Sequence, residues 1–400
     1  MSQAARTVLF GAFDRHNFGD LLFAHVLARL LAPREPVFAG LVTRDLRAFG
    51  GHAVHAIGEI AAGQTPVDLI HAGGELLTCN AWEAAVMLTP PERVQSMIEE
   101  ESAWCANPLA WSRQQLGIAT RSPYVLSKSL LPRLRIARIA FHAMGGAALD
   151  QRDNLFQQEV IDKLQHADAI TVRDAKTQMH LQTRGIDAPV TPDPAVMVAD
   201  LFGAHIAKRA TQTPLDAIKS AFPQGFSAIQ FDASYSDDAT LDVLARELSR
   251  MAQEENIGIV LFCAGIAPWH DDRALYERLK QRLPIKAVLF DSLDIWDICA
   301  LIASSRVYAG SSLHGRIVAM AFARPRINIV HREYGDQPLQ PPKQAAFAAT
   351  WEPEDVAATT YVDQLADAVH AALRADPGLL HDTASDLVRR YRAAFAASAL

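Results

Sequence analysis

The segment Gly310–Ile329, GSSLHGRIVAMAFARPRINI, concentrates more potential chemistry than any other stretch of this chain. It predicts the end of a buried strand over Arg306–Ala309, a tight polar turn, a short apolar helix stopped at Arg324-Pro325, and a second strand. His314 opens the helix, Ser311 and Ser312 precede it, Leu313 and Gly315 complete the turn, and Arg316 follows within the first turn. Serine hydroxyls, free N–H groups and the positive end of a helix together favour an anion. The expected guest of this small cup is a phosphorylated small molecule. A lone histidine is usually structural, but the positive end of a helix disfavours a structural cation at this place. A bound dianion reverses that balance and keeps the imidazole protonated, ready to donate a proton.

Four further turns carry polar groups where predicted strands end. In Asp14–Asp20, DRHNFGD, the residues Asn17, Gly19 and Asp20 suit a sugar hydroxyl or a phosphate. They equally suit ordinary helix capping. Gly73 and Gly74 let backbone approach a ligand closely, and Glu75 is a candidate base for a sugar hydroxyl; a tight turn without a ligand is the other reading. Arg173 follows the predicted strand Ala169–Val172, where its planar fork can take a carboxylate or phosphate, or simply pair with a neighbouring acid such as Asp174. The fourth turn is Thr191–Ala195. His270-Asp271-Asp272 matches no well-defined ligand spacing and reads as a solvated helix start; no metal site is expected. Arg389, Arg390 and Arg392 beside Leu387, Val388 and Tyr391 read as a helix packing on its apolar side, with membrane contact as the other reading.

Continuous apolar runs alternate with helical periods, which is the mark of parallel strands covered on both faces. Strands are expected at Arg6–Ala12, Val37–Val42, Asp68–Ala72, Ile136–His142, Ala169–Val172 and Pro189–Val190. The stretch Thr89–Pro132 reads as helices and loops. After a junction at Thr191–Pro194 and the polar stretch Lys208–Asp216, the alternation restarts from Ser227. The expected fold is α/β: two Rossmann-like doubly wound domains facing a cleft, with C-terminal helices. The expected domains are 1–192, 193–355 and a helical tail at 356–400.

The 400 residues carry a net charge of −7 with pI near 6.1, which argues against a nucleic-acid partner. Cys79, Cys105, Cys263 and Cys299 stand far apart and indicate neither zinc nor a disulfide framework. No apolar run is long enough for a membrane span, the first residues read as a strand rather than a signal peptide, and a cytoplasmic location is expected.

The ordered set Asn17-Phe18-Gly19-Asp20, Gly73-Gly74-Glu75-Leu76, Arg173-Asp174, Asp193-Pro194-Ala195 and Ser312-Leu313-His314-Gly315, ending at Pro325, resembles the polysaccharide pyruvyl transferase family over roughly residues 10–330. Members are similar to two-domain glycosyltransferases of the GT-B type. They move the pyruvate unit of phosphoenolpyruvate onto two hydroxyls of a sugar in a bacterial surface polysaccharide, forming a cyclic ketal and releasing phosphate. The resemblance implies His314 as the catalytic histidine and Arg173 as the phosphoenolpyruvate-binding arginine. With it go Ser311, Ser312, Leu313, Gly315, Arg316 and Arg332 on the donor side and Asn17, Gly19, Asp20, Gly73, Gly74 and Glu75 on the acceptor side. Ser312 stands where the family often has arginine, Ala72 replaces the first glycine of its triple-glycine turn, and no lysine follows Pro325. Arg316 or Arg332 are the expected substitutes. The donor is phosphoenolpyruvate and no cofactor is expected. The acceptor is a sugar or oligosaccharide, a lipid-linked form and peripheral membrane contact staying open. A nucleotide-sugar glycosyltransferase and a non-catalytic family member are the alternatives.

Overall fold

Strands that are apolar on both sides need helices on both sides, and this demand organises the chain into two predominantly parallel sheets. The computed structural model describes residues 5–60, 65–212, 214–332, 343–398 and 400. Its first sheet contains β1 (Arg6–Phe10), β2 (Val37–Gly40), β3 (Arg44–Asp45), β4 (Ala53–Ala56), β5 (Val67–Ala72), β6 (Ile136–Met144) and β7 (Ala169–Val172), in the order β3-β4-β2-β1-β5-β6-β7. The second contains β8 (Phe226–Gln230), β9 (Gly258–Phe262), β10 (Ala287–Phe290), β11 (Val307–Gly310), β12 (Arg326–Ile329) and β13 (Thr359–Thr360), in the order β10-β9-β8-β11-β12-β13. Every pairing is parallel except β3 with β4.

Leaving β3 aside, both sheets step outward from a first strand in one direction and then in the other, the doubly wound order. The order reverses between β1 and β5 in the first sheet and between β8 and β11 in the second. In such sheets ligands bind beyond the carboxyl ends of the strands at the reversal. The loops after β1, β5, β8 and β11 are therefore where chemistry is expected.

The chain divides into two compact units, Met1–Pro194 with Tyr391–Leu400, and Ala195–Arg390. The first core joins Val8, Phe10, Leu69, Ile139 and Phe141 from the strands to Phe156, Val160 and Leu181 from the helices. The second joins Ile229, Leu261, Ala309 and Ile327 to Leu244, Leu248 and Val369. Within Thr89–Pro132 a separate small cluster forms around Trp104 and Trp111, whose rings meet edge to face 5.6 Å apart.

Several elements differ from the expected pattern. The short strands β3, β4 and β13 make few pairings and leave no periodic trace in side-chain type. Val190 makes only an isolated bridge to Val172 in place of a strand. The stretch Lys208–Asp216 runs from the end of helix Val198–Arg209 into helix Leu215–Ala221 and lies inside the second unit. Those helices bury Val198, Ile206, Leu215 and Ile218 and turn polar faces outward, which gives them the composition of a linker. The last helix spans Pro377–Ala397, with Leu387 and Tyr391 buried and Arg389 and Arg390 paired with Asp386 on its exposed side. Among the described residues no helix is long and apolar enough to cross a membrane.

Candidate functional site

Gly310 ends β11 beside Gln230, the last residue of β8, and three residues later the helix Leu313–Ala321 begins. A Cβ on Gly315 would run into the Tyr308 ring, so the helix start lies directly on that side chain. The Tyr308 hydroxyl donates to the Ser312 carbonyl (3.0 Å), and Asn328 Nδ2 donates to the carbonyls of Gly310 (2.7 Å) and Ser312 (3.1 Å). Gln230, 2% exposed, accepts the Ser312 N–H at Oε1 (2.8 Å) and donates from Nε2 to Asp271 Oδ1 (2.7 Å). The turn is thus held from beneath by buried amide and hydroxyl groups. Above it, Ser311 Oγ accepts the Asp232 N–H (3.0 Å), and Ser312 Oγ caps the helix by accepting the Gly315 N–H (3.2 Å). A hydroxyl that accepts still has its hydrogen to give, so both serines remain donors. His314 lies in the first turn, 9% exposed.

Three groups that sequence reasoning passed over belong to this edge. The exposed Asp272 caps the helix Arg273–Arg282, the solvated helix start expected there, whereas Asp271 beside it is a half-buried anchor. Burial pushes the Asp271 carboxyl up to about 8, against hydrogen bonds from Ala264 N–H (2.5 Å) and Gln230 that pull it down. Ser234 Oγ and His331 Nε2 lie 2.7 Å apart, and the His331 ring stacks on Tyr235 with centroids 3.9 Å apart. Ser234 also donates its N–H to Asp232 Oδ1 (3.0 Å) and its hydroxyl to the same oxygen. Only the strand order marks these residues, because it makes the loops after β8, β9 and β12 the neighbours of the Ser311–Ser312 turn.

Two expected donor ligands have carboxylate partners of their own. Arg316 is wholly buried: Nε donates to Glu352 Oε1 (2.5 Å), Nη1 to the Ala358 carbonyl (2.8 Å) and Nη2 to the Ala357 carbonyl (3.0 Å). Arg326 takes the other Glu352 oxygen. Arg316 therefore ties the helix to a distant segment and does not face the cup. Arg332 forms a two-pronged pair with Asp363 (2.7 and 2.8 Å) and lies over the Tyr361 ring. Leu313 is buried, and the Gly315 N–H is spent on Ser312, so Gly315 serves by the space it leaves.

In the first unit, Asn17 caps helix Phe18–Leu31 by accepting the Gly19 N–H (3.2 Å), and Asp20 is buried in its first turn. Gly73 and Gly74 have φ of 60° and 82°, the left-handed region that glycine enters without strain. Glu75 accepts the Ala147 N–H at Oε1 (2.9 Å) and Arg173 Nη2 at Oε2 (2.5 Å). The Arg173 guanidinium, 2% exposed, also donates to the fully buried Asp193 (3.1 Å). The residues Asn17, Gly19, Asp20, Gly73, Gly74, Glu75 and Arg173 thus gather beyond the carboxyl ends of β1, β5 and β7. Arg15 joins them without having been singled out in the sequence. It is 7% exposed, donates to the Tyr124 hydroxyl (3.2 Å), lies 3.6 Å from Asp20, and has its buried Nε without a partner.

The family profile described as polysaccharide pyruvyl transferase matches residues 122–333, more than half of the chain. The chain belongs to that family. The matched span holds Arg173, Asp193 and the whole of Gly310–Ile329, whereas Asn17–Asp20 and Gly73–Leu76 lie before it. Among solved structures, the UDP-N-acetylglucosamine 2-epimerase of Rickettsia bellii is similar at 13% identity and a TM-score of 0.54, covering 98% of this chain and 97% of that one. The UDP-GlcNAc 2-epimerase of Methanocaldococcus jannaschii follows at 10% identity and a TM-score of 0.52, with 96% and 99% covered. The trehalose 6-phosphate synthase of Burkholderia multivorans is similar at 12% identity and a TM-score of 0.51, with 98% and 93% covered. These likenesses establish a GT-B-type fold. No curated protein matches the sequence.

Proposed function

We propose that the chain transfers the pyruvate unit of phosphoenolpyruvate to two hydroxyls of a sugar acceptor, closing a cyclic ketal and releasing inorganic phosphate. The observation that carries this reading is the turn at the reversal of the second sheet. There, two serine hydroxyls and a helix start lie beside His314, as an anionic donor and a proton donor require. The donor phosphate carries close to two negative charges near neutral pH. Ser311, Ser312 and the opening N–H groups of the helix take the phosphate. His314 gives a proton to the methylene carbon, which becomes the methyl group, while one sugar hydroxyl adds to the adjacent carbon and loses its own proton. Departure of phosphate and attack by the second hydroxyl complete the ketal; the first hydroxyl's proton restores the imidazole and the second's leaves with the phosphate. General acid help of this sort is worth about 10²–10⁴-fold.

Arg173 takes part in this scheme as the carboxylate holder. That role follows from the family resemblance; within the first unit Glu75 is its more accessible partner, with 22% of the side chain exposed against none for Asp193. The test is to incubate the chain with phosphoenolpyruvate or with nucleotide-sugars, each with a panel of sugar acceptors. Acceptor-dependent release of inorganic phosphate is expected. Release of a nucleoside diphosphate, or of neither product, overturns the reading.

A further inference from the structure

Strand β9 lies next to β8, and the loop beyond it, Cys263–Asp272, carries Ile266 and Trp269, 44% and 45% exposed. Trp269 has φ of 66°, a conformation that bulky residues seldom hold. Strain of this kind persists where the surroundings impose it, and it gathers at functional sites. Here they impose it from several sides. The Ala233 N–H donates to the His270 carbonyl (2.9 Å), the His270 N–H to Ala267 (3.0 Å) and the Asp271 N–H to Gly265 (3.0 Å). The Asp271 carboxyl holds Ala264 N–H and Gln230 Nε2, and Gln230 holds the Ser312 N–H with its other end. One side chain thus connects the base of the tryptophan loop to the turn that starts the His314 helix.

We propose that Trp269 is a platform on which a pyranose ring of the acceptor stacks. That the ligand is the acceptor rests on the pyruvyl-transfer reading; that it is a sugar follows from the chemistry of the edge. An exposed indole offers a flat apolar face to the C–H face of a sugar ring. The adjoining loop after β8 offers Asp232 and Ser234 to its hydroxyls. Charge argues against a bilayer: Cys263–Asp272 contains no lysine or arginine, carries the exposed Asp272, and is followed by Arg273, already paired with Asp291 and Glu277. An anionic membrane surface repels such a loop, whereas a neutral sugar is indifferent to it.

The experiment uses the full chain without donor. Methyl β-galactoside, methyl α-mannoside and N-acetylglucosamine are titrated by saturation-transfer NMR against the wild type, Trp269→Phe and Trp269→Gly. Glycine suits the backbone at this position, so that variant folds, as its melting midpoint will report. At least one pyranoside should bind the wild type and Trp269→Phe comparably, and Trp269→Gly about tenfold more weakly. Equal binding by Trp269→Gly, binding of uridine monophosphate or of anionic vesicles in place of the sugars, or no pyranoside binding by the wild type overturns the proposal. Sugar binding through Trp269 without phosphate release from phosphoenolpyruvate retains this inference and removes the pyruvyl-transfer reading. Phosphate release with acceptor kinetics unchanged in Trp269→Gly does the reverse.

Discussion

Arg316 stands two residues beyond His314 on the same helix, yet its side-chain nitrogens are bound to Glu352 and to the carbonyls of Ala357 and Ala358. The two side chains should therefore separate cleanly in experiment. Arg316→Ala leaves Glu352 buried with Arg326 alone and should cost about 3–5 kcal/mol of stability, the range for breaking one partner from a buried ion cluster. It should lower the melting midpoint and leave the KM for phosphoenolpyruvate of the folded fraction unchanged. His314→Gln should do the opposite, with turnover down by about 10²-fold or more and the midpoint nearly unmoved. A large rise in donor KM in folded Arg316→Ala would return that arginine to the cup.

At the scale of elements, the cup depends on how closely the helix Leu313–Ala321 approaches β11. Gly315→Ala places a methyl group against Tyr308 and should lower both stability and turnover, because Tyr308 holds the Ser312 carbonyl. Asp271 gives a pH signature. Its carboxyl stays protonated in the folded chain up to about 8, whereas the unfolded chain releases the proton in the ordinary carboxylate range. The unfolded state therefore binds fewer protons across that window, and stability must fall as pH rises through it, levelling above about 8. Melting midpoints of the wild type and Asp271→Asn, compared over that range, should show the wild type losing ground to the variant as pH rises. The long apolar runs made the central strands legible in the sequence, since a strand buried on both faces must be apolar throughout. The turns at Gly73–Glu75 and Ser311–Gly315 were legible because glycine and serine mark them. The pairing of Arg316 was hidden because Glu352 lies just beyond another helix, Lys343–Trp351, 36 residues on. Asp271 and His331 were hidden because their importance comes from strand order, which periodicity does not encode.

At the scale of the whole molecule, an acidic chain is assigned an anionic donor. Arg15, Arg173, Arg316 and Arg326 are all buried beside carboxylates, so long-range attraction for the donor is weak and the grip on it is short-range. The chain also returns to its first unit at the end. Tyr391, wholly buried, meets His142 Nε2 through its hydroxyl (2.8 Å), and burial pushes that imidazole down to about 4. Tyr391→Ala should cost about 3–5 kcal/mol by the usual scale for emptying a large aromatic site, read by denaturant unfolding. The most direct test of the central claim is to run the reaction in heavy water with phosphoenolpyruvate and an accepting sugar, following the product by NMR. Protonation of the methylene carbon by His314 predicts a ketal whose methyl group carries one deuterium, formed together with inorganic phosphate and reduced about 10²-fold or more in His314→Gln. A product without that methyl group, or one formed equally fast by His314→Gln, contradicts the account.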